Sequence, residues 1–537
     1  MLLTYLKDGA RIKTTEPDEN VVFSSRHTET RFTVTLTAKT DIVLCDALLQ
    51  SRINAASDDL MFLNGYQSWT DTREVFSREK EKDLYRAPHS VIRKFSMDRY
   101  GDAAFYPYKK YRLHGYDVFY IKGKCECFLF NVNRETAYLV IECDKRNKTI
   151  ALRSDIGGLS LRAGETCTLY DYCQYGTIEA GLAAFREAYP PREAPKLFGY
   201  TSWYNHYQNI SEEILLKDLA ALDSRFDLFQ IDDGFETFVG DWLDVDEKKF
   251  PHGLAPVAEK IRAQGYKAGI WLAPFAAEEK SRLFREHKDW IRRGADGAPV
   301  RCGGNWSGFY ALDLSNPEAV SYIRRVLAHY ADLGFDFFKL DFLYAAGVTP
   351  PEGKTRAQAQ NEAYALLREA LPGKIILGCG ATILSSYGNF DYLRVGPDVS
   401  LSFDDVWYMR YFHRERVSTK TTLQNTIYRS FLNGHFFGND PDVFLLRDTN
   451  NRLKAEQKKA LLTINALFGS VLMTSDNLAE YGETQKALLE KALALFRAEK
   501  TVRFARRDER IEIAYCAAGG EETVLVYDTE KGVLSDG

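Results

Sequence analysis

The middle of this chain alternates short apolar segments with longer stretches of helical periodicity, and this alternation restricts the fold more than any other feature. Each apolar segment has the length of a buried strand, and candidate helices alternate with these segments. Parallel strands joined by helices form α/β folds, and eight such units close a (β/α)8 barrel. The sequence predicts eight strands, at 198–205, 228–234, 267–275, 335–342, 374–380, 392–398, 435–440 and 470–475.

The predicted helices between these strands carry start and stop signals. The helix that begins near Pro317 has Ser315 or Asn316 as its cap, a proline in its first turn, and Gly334 after its end. Such punctuation supports the strand and helix assignment on either side of it. Further helices are predicted at 212–222, 255–264, 357–371, 421–433 and 455–467.

The residues before and after this region show strand patterns instead. Alternating apolar and polar residues separated by short turns fill the first part of the chain, which favours an antiparallel β-sandwich. Pro190, Pro191 and Pro195 are typical of a linker. We therefore predict a multidomain β and α/β protein with an N-terminal β-sandwich at 1–190, a central (β/α)8 TIM barrel at 195–500, and a small C-terminal β-unit at 501–537, whose end beyond residue 531 is expected to be frayed.

Composition excludes several classes of protein. The formal charge is −5 over 537 residues, and without a long Lys/Arg run neither nucleic acid nor an anionic membrane is an expected partner. No segment approaches the roughly 20 apolar residues of a membrane helix, and the first residues lack a signal-peptide pattern. We expect a cytoplasmic protein. The nine histidines and nine cysteines lack metal-ligand or disulfide spacing, so no metal or cofactor is expected, and monomer and homo-oligomer both stay open.

Charged and aromatic residues gather where the predicted strands end. Lys339 and Asp341 share one face of their strand, as do Arg394 and Asp398, because side chains alternate along a strand. A single such pair is most simply a structural ion pair. The repetition at one rim of a barrel, where active sites of this fold lie, favours a site instead. The strand-end residues are Trp203, Tyr204, Asp232, Asp233, Trp271, Lys339, Asp341, Cys379, Arg394 and Asp398.

Carboxylates on different strands, without a histidine cluster or a phosphate-binding loop, are typical of a glycosidase. Such an enzyme needs one ionised carboxylate and one protonated carboxyl group. Asp341 beside Lys339 is expected to stay ionised, which suits a nucleophile. Asp398 suits a general acid only if burial or the charge of Asp341 opposes the effect of Arg394 on its pKa. Asp232 and Asp233 can accept hydrogen bonds from sugar hydroxyls.

Nine segments along the barrel resemble the α-galactosidases of glycoside hydrolase family 36, in its shorter, bacterial-type branch. Asn64-Gly-Tyr-Gln-Ser-Trp69, which the residues alone predict to be a packed turn, resembles a loop of that family that reaches over the active site. The nine segments are Gly199-Tyr-Thr-Ser-Trp-Tyr-Asn, Phe229-Gln-Ile-Asp-Asp-Gly, Gly240-Asp-Trp, Gly269-Ile-Trp-Leu-Ala-Pro-Phe, Tyr310-Ala-Leu-Asp-Leu-Ser, Phe338-Lys-Leu-Asp-Phe, Leu377-Gly-Cys-Gly, Arg394-Val-Gly-Pro-Asp and Asn439-Asp-Pro-Asp.

The resemblance implies a retaining, exo-acting hydrolase of terminal α-galactosides of the melibiose or raffinose type, without metal or cofactor. It implies that Asp341 is the nucleophile that forms a galactosyl-aspartate and that Asp398 is the acid/base. The sugar-binding residues that it implies are Asp232 and Asp233 for the distal hydroxyls, Lys339 and Arg394 for ring hydroxyls, Cys379 for the floor, and Trp203, Tyr204, Trp271 and Trp69 for the walls.

Departures from the family pattern keep alternatives open. The strand end reads Lys-Leu-Asp-Phe-Leu where longer members have Lys-Trp-Asp-Met-Asn, and the loop from Cys302 to Trp306 has no assigned place. The alternatives are a related α-glycosidase or transglycosylase acting on α-N-acetylgalactosaminides or α-glucosides, and a non-catalytic galactoside-binding protein.

Overall fold

The N-terminal part of the chain forms two packed antiparallel sheets. The computed structural model describes residues 1–79, 84, 87–108, 111–192, 194–404 and 415–537. Buried residues of both sheets, such as Leu44 and Phe119, form one core between them, which confirms the predicted β-sandwich. The first sheet contains, in spatial order, Ala10–Thr14, Leu2–Lys7, Ile42–Arg52, Thr149–Ser154, Leu139–Asp144 and Arg112–Tyr116, with Ser160–Leu161 paired to Ile42–Arg52. The second contains Val21–His27, Arg31–Ala38, Thr166–Tyr175, Cys127–Asn131, Val118–Lys122, Leu60–Leu63 and Arg73–Phe76.

The central part is a parallel sheet that closes on itself. All neighbouring strands in it are parallel, and the strands follow one another in chain order. The strands Gly438–Asp440 and Val443–Phe444 stand at the two ends of the strand order. Because only Pro441 and Asp442 separate them, they act as one bent seventh strand that closes the predicted barrel. The strands are Leu197–Thr201, Leu228–Ile231, Lys267–Leu272, Phe337–Leu340, Ile375–Gly378, Tyr392–Arg394, Gly438–Asp440 with Val443–Phe444, and Val471–Thr474.

Helices follow the barrel strands as the sequence predicts. In the helix Pro317–Asp332 the Asn316 side chain caps the N-terminus, accepting a hydrogen bond from the Glu318 N–H at 2.9 Å. The α-helices of the barrel region are Trp203–His206, Glu212–Ala220, Ala255–Ala263, Arg282–Glu286, Pro317–Asp332, Ala345–Val348, Arg356–Ala370, Ile383–Ser386, Thr419–Tyr428, Ala455–Phe468 and Glu483–Arg497, with 3-10 turns at Lys288–Trp290, Ser430–Leu432 and Leu478–Glu480. Within the described residues of the N-terminal part, His89–Lys94 and Ile178–Ala188 are also helices.

The part of the chain that the structure describes also contains two smaller sheets. A three-stranded sheet of Ala276–Glu278, Phe309–Ala311 and Arg301–Gly303 carries the loop that ends at Trp306. The C-terminal sheet contains Lys500–Arg507, Arg510–Ala517, Thr523–Asp528 and Val533–Asp536. The expectation of a frayed end is wrong, because Val533–Asp536 pairs with Thr523–Asp528 along its length. Within the described residues no helix is long and apolar enough to span a membrane.

A buried arginine of the barrel holds the loop that carries Trp69. The Arg429 guanidinium donates hydrogen bonds to the carbonyl oxygens of Ser68 at 2.6 Å and Gln67 at 3.0 Å, and to that of Val395 after the sixth strand at 2.8 Å. Asn425 donates to the Thr70 carbonyl at 3.0 Å. These bonds fix an N-terminal loop over the carboxyl ends of the barrel strands.

Candidate active site

A cavity of about 830 Å³ opens at the carboxyl ends of the barrel strands. Its walls include the strand ends, the loop that ends at Trp306, the N-terminal segments around Trp69 and Tyr100, and residues 415–417 after the sixth strand. Tyr204, Cys379 and Arg394, also predicted for the site, are buried beside the lining residues rather than among them. The predicted residues that line the cavity are Trp69, Trp203, Asp232, Asp233, Trp271, Lys339, Asp341 and Asp398.

Asp341 lies at the end of the fourth strand with both oxygens held. The Trp271 indole N–H donates to Oδ2 at 3.0 Å, and the Phe342 amide donates to Oδ1 at 2.8 Å. Phe342 adopts φ 54°, a left-handed conformation that is strained for a bulky residue and typical of functional sites. Burial raises the pKa of Asp341, and the charge of Asp398 adds to this, whereas Lys339, Trp271 and the Cys379 thiol oppose it.

Lys339 pairs across the sheet and not along its own strand. Its Nζ lies 2.8 Å from Oδ2 of Asp232, so the expected close ion pair with Asp341 is wrong, although the charge of Asp341 still acts on Lys339. Burial alone would raise the pKa of Asp232, but Lys339 together with hydrogen bonds from Gln230 and the Asp233 amide lowers it. Asp232 is therefore an ionised carboxylate at the cavity floor.

Asp233 is surrounded by neutral donors. The Trp306 indole N–H donates to its Oδ2 at 2.9 Å, and Gln208 Nε2 lies 3.1 Å from the same oxygen. Glu236, which is buried, forms a hydrogen bond between its carboxyl group and that of Asp233. Burial raises the pKa of Asp233, and the charge of Asp232 adds to that effect.

Arg394 binds three carboxylates at once. Its Nη1 lies 3.0 Å from Asp398, its Nε 3.0 Å from Asp440, and its Nη2 2.9 Å from Asp442. Asp442 also accepts a hydrogen bond from the Tyr204 hydroxyl, so Tyr204 supports this network and does not form a wall. Burial raises the pKa of Asp442 to about 7 against the effect of Arg394, with the charges of Asp398 and Asp440 contributing.

Asp398 is the accessible member of this group. Its side chain is 35% exposed, compared with 1% for Asp440 and 0% for Asp442. A carboxyl group that is open to the cavity can exchange a proton with substrate or water.

The side chains near the cavity that the sequence interpretation missed include Gln208, Glu236, Trp306, Asp440 and Asp442. Two signals pointed toward some of them. Asp440 and Asp442 belong to Asn439-Asp-Pro-Asp at the end of the seventh strand, and Trp306 follows a glycine-rich loop. Gln208 carried no signal, because it contacts Asp233 from a separate loop, and Glu236, three residues after Asp233 in the same loop, belongs to no motif that indicates its contact. Within the described residues no group of His, Cys, Asp and Glu side chains is arranged to hold a metal ion.

Part of this chain is similar in sequence to known α-galactosidases. The family model Melibiase matches residues 185–368. An α-galactosidase of Escherichia coli is 34% identical over 186 residues, which are 32% of this chain and 25% of that protein. This chain thus spans about a quarter of the length of that curated relative.

Solved structures match over much more of the chain. TtGalA, an α-galactosidase from Thermus thermophilus in complex with p-nitrophenyl α-D-galactopyranoside, has a TM-score of 0.73 and 27% identity over 97% of this chain and 98% of its own. AgaA, a family 36 α-galactosidase from Geobacillus stearothermophilus, has a TM-score of 0.63 over 98% of this chain and 81% of its own, but only 12% identity, so the likeness is one of fold. These findings confirm the resemblance that the barrel motifs indicate and the predicted multidomain fold.

Proposed function

We propose that this chain, which belongs to glycoside hydrolase family 36, is a retaining α-galactosidase that removes terminal α-linked galactose from oligosaccharides. The observation that carries this proposal is the placement of Asp341 and Asp398, which follow different strands, on one cavity that also contains Asp232 and Asp233. TtGalA has also been solved in complex with stachyose, an oligosaccharide. Such a substrate is our proposal for this chain.

In the proposed reaction Asp341 attacks the anomeric carbon and forms a galactosyl-aspartate. Asp398 donates a proton to the leaving oxygen, and in the second half-reaction it removes a proton from the attacking water. Trp271 and the Phe342 amide hold Asp341 for this attack. Arg394 also binds Asp440 and Asp442, so Asp398 shares its cationic partner with two further carboxylates.

In the proposed complex the galactose ring lies at the part of the cavity that Asp232, Asp233 and Lys339 line. Asp232 and Asp233 accept hydrogen bonds from hydroxyl groups, Lys339 donates to one, and Trp271 and Trp306 cover apolar ring faces. An epimer that left these buried groups without partners would be rejected, because an unpaired buried polar group costs about 1–3 kcal/mol.

The experiment compares p-nitrophenyl α-galactoside with the α-glucoside and the α-N-acetylgalactosaminide, and identifies the first product anomer by NMR. We expect α-galactose to form first, and Asp341→Asn to lose at least about 1,000-fold in kcat, since the nucleophile acts only in the chemical steps. Asp336→Asn is the matched control, because Asp336 precedes the same strand at its opposite end and pairs with Lys374.

Three results would contradict the proposal. β-Galactose as the first product would mean inversion and a different role for Asp341. Preference for either other glycoside would favour the related α-glycosidases. Binding of galactosides without turnover, unchanged in Asp341→Asn, would indicate a galactoside-binding protein.

A further inference from the structure

We propose that Glu236 is a positioning residue of the sugar site: as a neutral carboxylic acid it donates a hydrogen bond to Asp233 and orients that carboxylate toward a substrate hydroxyl. This inference rests on the proposed function, because the hydroxyl belongs to the terminal sugar. It assigns to Glu236 a role in substrate affinity and not in the chemical step, since Asp233 lines the cavity whereas Glu236 lies behind it.

The contact between the two carboxyl groups is buried. Glu236 is 6% exposed and Asp233 is 3% exposed. Among the described residues, no Lys, Arg or His nitrogen forms an ion pair within 4.0 Å with either group, and the nearby Lys339 is committed to Asp232. Two adjacent anions without a cation are strongly unfavourable away from water, so such a pair retains one proton.

The surroundings decide which residue keeps the proton. Asp233 accepts hydrogen bonds from Trp306 and Gln208, and these donors stabilise its charged form. Glu236 accepts an amide hydrogen bond from Gly234 at 3.2 Å, and burial together with the charge of Asp233 holds its pKa well above the usual value. The proton therefore resides on Glu236, whose O–H points to Asp233.

The shared proton has a specific consequence for the carboxylate. Three donors now fix the plane of Asp233, so a remaining lone pair of that carboxylate has a set direction for a hydroxyl group. If Glu236 lost its proton, the two anions would repel each other and Asp233 would move. KM would then rise with increasing pH while kcat changed little, because the interaction is already made in the ground-state complex.

Other titratable groups near this pair must be separated from Glu236. They are Asp232 beside Asp233, Glu278 across from it, Tyr330 from the helix Pro317–Asp332, and Lys249, whose Nζ donates to the Gly234 carbonyl at 2.9 Å. Glu278 is the closest match to Glu236, because burial raises its pKa too, but its oxygens accept hydrogen bonds from Ser307 and the Val239 amide.

The test compares Glu236→Gln, Glu236→Leu and the control Glu278→Gln with the natural protein, using p-nitrophenyl α-galactoside between pH 5 and 9. Gln keeps a donor for Asp233 at every pH, so we expect KM within about threefold of the natural value and no alkaline rise. Leu removes the donor, and we expect KM to increase about tenfold with kcat within about threefold. Glu278→Gln should keep the natural pH profile.

Infrared spectroscopy at neutral pH gives a readout that needs no turnover. The natural protein should show the carbonyl stretch of a protonated carboxyl group that Glu236→Gln lacks and Glu278→Gln keeps. Absence of that band, an unchanged KM in Glu236→Leu, or a loss confined to kcat would each overturn the inference. If no variant hydrolyses any α-galactoside, the proposed function fails, while the infrared band still decides whether Glu236 holds the proton.

Discussion

Two acidic clusters at the cavity contain the same kinds of charge but balance them differently. The lysine cluster consists of Lys339, Asp232, Asp233 and Glu236, and the arginine cluster consists of Arg394, Asp398, Asp440 and Asp442. Each has one cation for three carboxyl groups. In the lysine cluster the cation binds a single carboxylate, and neutral donors and a shared proton stabilise the others. In the arginine cluster the cation binds all three.

The difference follows from the shapes of the two cations. A guanidinium is planar and presents N–H groups in several fixed directions, so one arginine can bridge three carboxylates. An ammonium group is a compact point charge, and here it lies 2.8 Å from Asp232. The arginine cluster is thus held by ion pairs that span the sixth and seventh strands, whereas the lysine cluster depends on the loops around Asp233.

The largest expected effect on stability comes from removing Arg394, the cation that bridges three carboxylates. In Arg394→Met three carboxylates lose their shared partner, and we expect a loss of about 3–5 kcal/mol in the free energy of unfolding, together with loss of activity. Urea denaturation at pH 7 measures it. Lys339→Met removes a single ion pair and should cost less, so an equal or larger cost for Lys339→Met would contradict the difference between the clusters.

A second prediction concerns Asp442 of the arginine cluster and the pH dependence of stability. The pKa of Asp442 is raised from 3.8 to about 7, so the folded protein binds this proton more tightly than the unfolded chain does. The stabilisation is complete below pH 3.8 and is lost as the pH rises through about 7. Asp442→Asn should remove this part of the decline in stability between pH 4 and 7.

Denaturation midpoints measured across that range test the prediction. Asn suits this position, because residue 442 has φ 72° and Asn tolerates the left-handed region. Across pH 4 to 7 the free energy of unfolding should fall more in the natural protein than in Asp442→Asn. The difference should be a few kcal/mol at most, on the order of 1.4 kcal/mol per unit of pKa shift. An unchanged slope in Asp442→Asn would show that the proton resides elsewhere in the cluster.

The smallest expected effect concerns a neutral donor of the lysine cluster. Gln208 is exposed, and its Nε2 lies 3.1 Å from Asp233. We expect Gln208→Ala to raise KM about threefold without changing kcat, because water can replace an exposed donor. Steady-state kinetics on p-nitrophenyl α-galactoside, with Asn209→Ala as the neighbouring control, measures the effect. A large fall in kcat would show that Gln208 acts on the chemical step.

Local patterns were sufficient to predict the barrel and much of its rim. Each of the eight predicted strands overlaps an observed one, because a short apolar segment that is buried on both faces of a sheet is recognised from neighbouring residues. The two-residue period of a strand correctly placed Asp341 at the end of the fourth strand, but the predicted place of Asp398 on the sixth strand is wrong, because that strand ends at Arg394 and Asp398 lies in the loop after it. The period indicates which face a side chain occupies but not which residue of another strand lies beside it, and for this reason Lys339 was paired with Asp341 instead of Asp232.

The sequence by itself determined the class of fold, the order of the strands and the kinds of charge at the rim, since these depend on residues close together in the chain. The tertiary structure alone decided the partners of those charges. Trp306 and Gln208 reach Asp233 from different loops, and Arg394 meets Asp442 only because the seventh strand bends at Pro441 to close the barrel. These contacts depend on distances of a few ångströms between residues that are far apart in sequence, and barrel closure sets those distances.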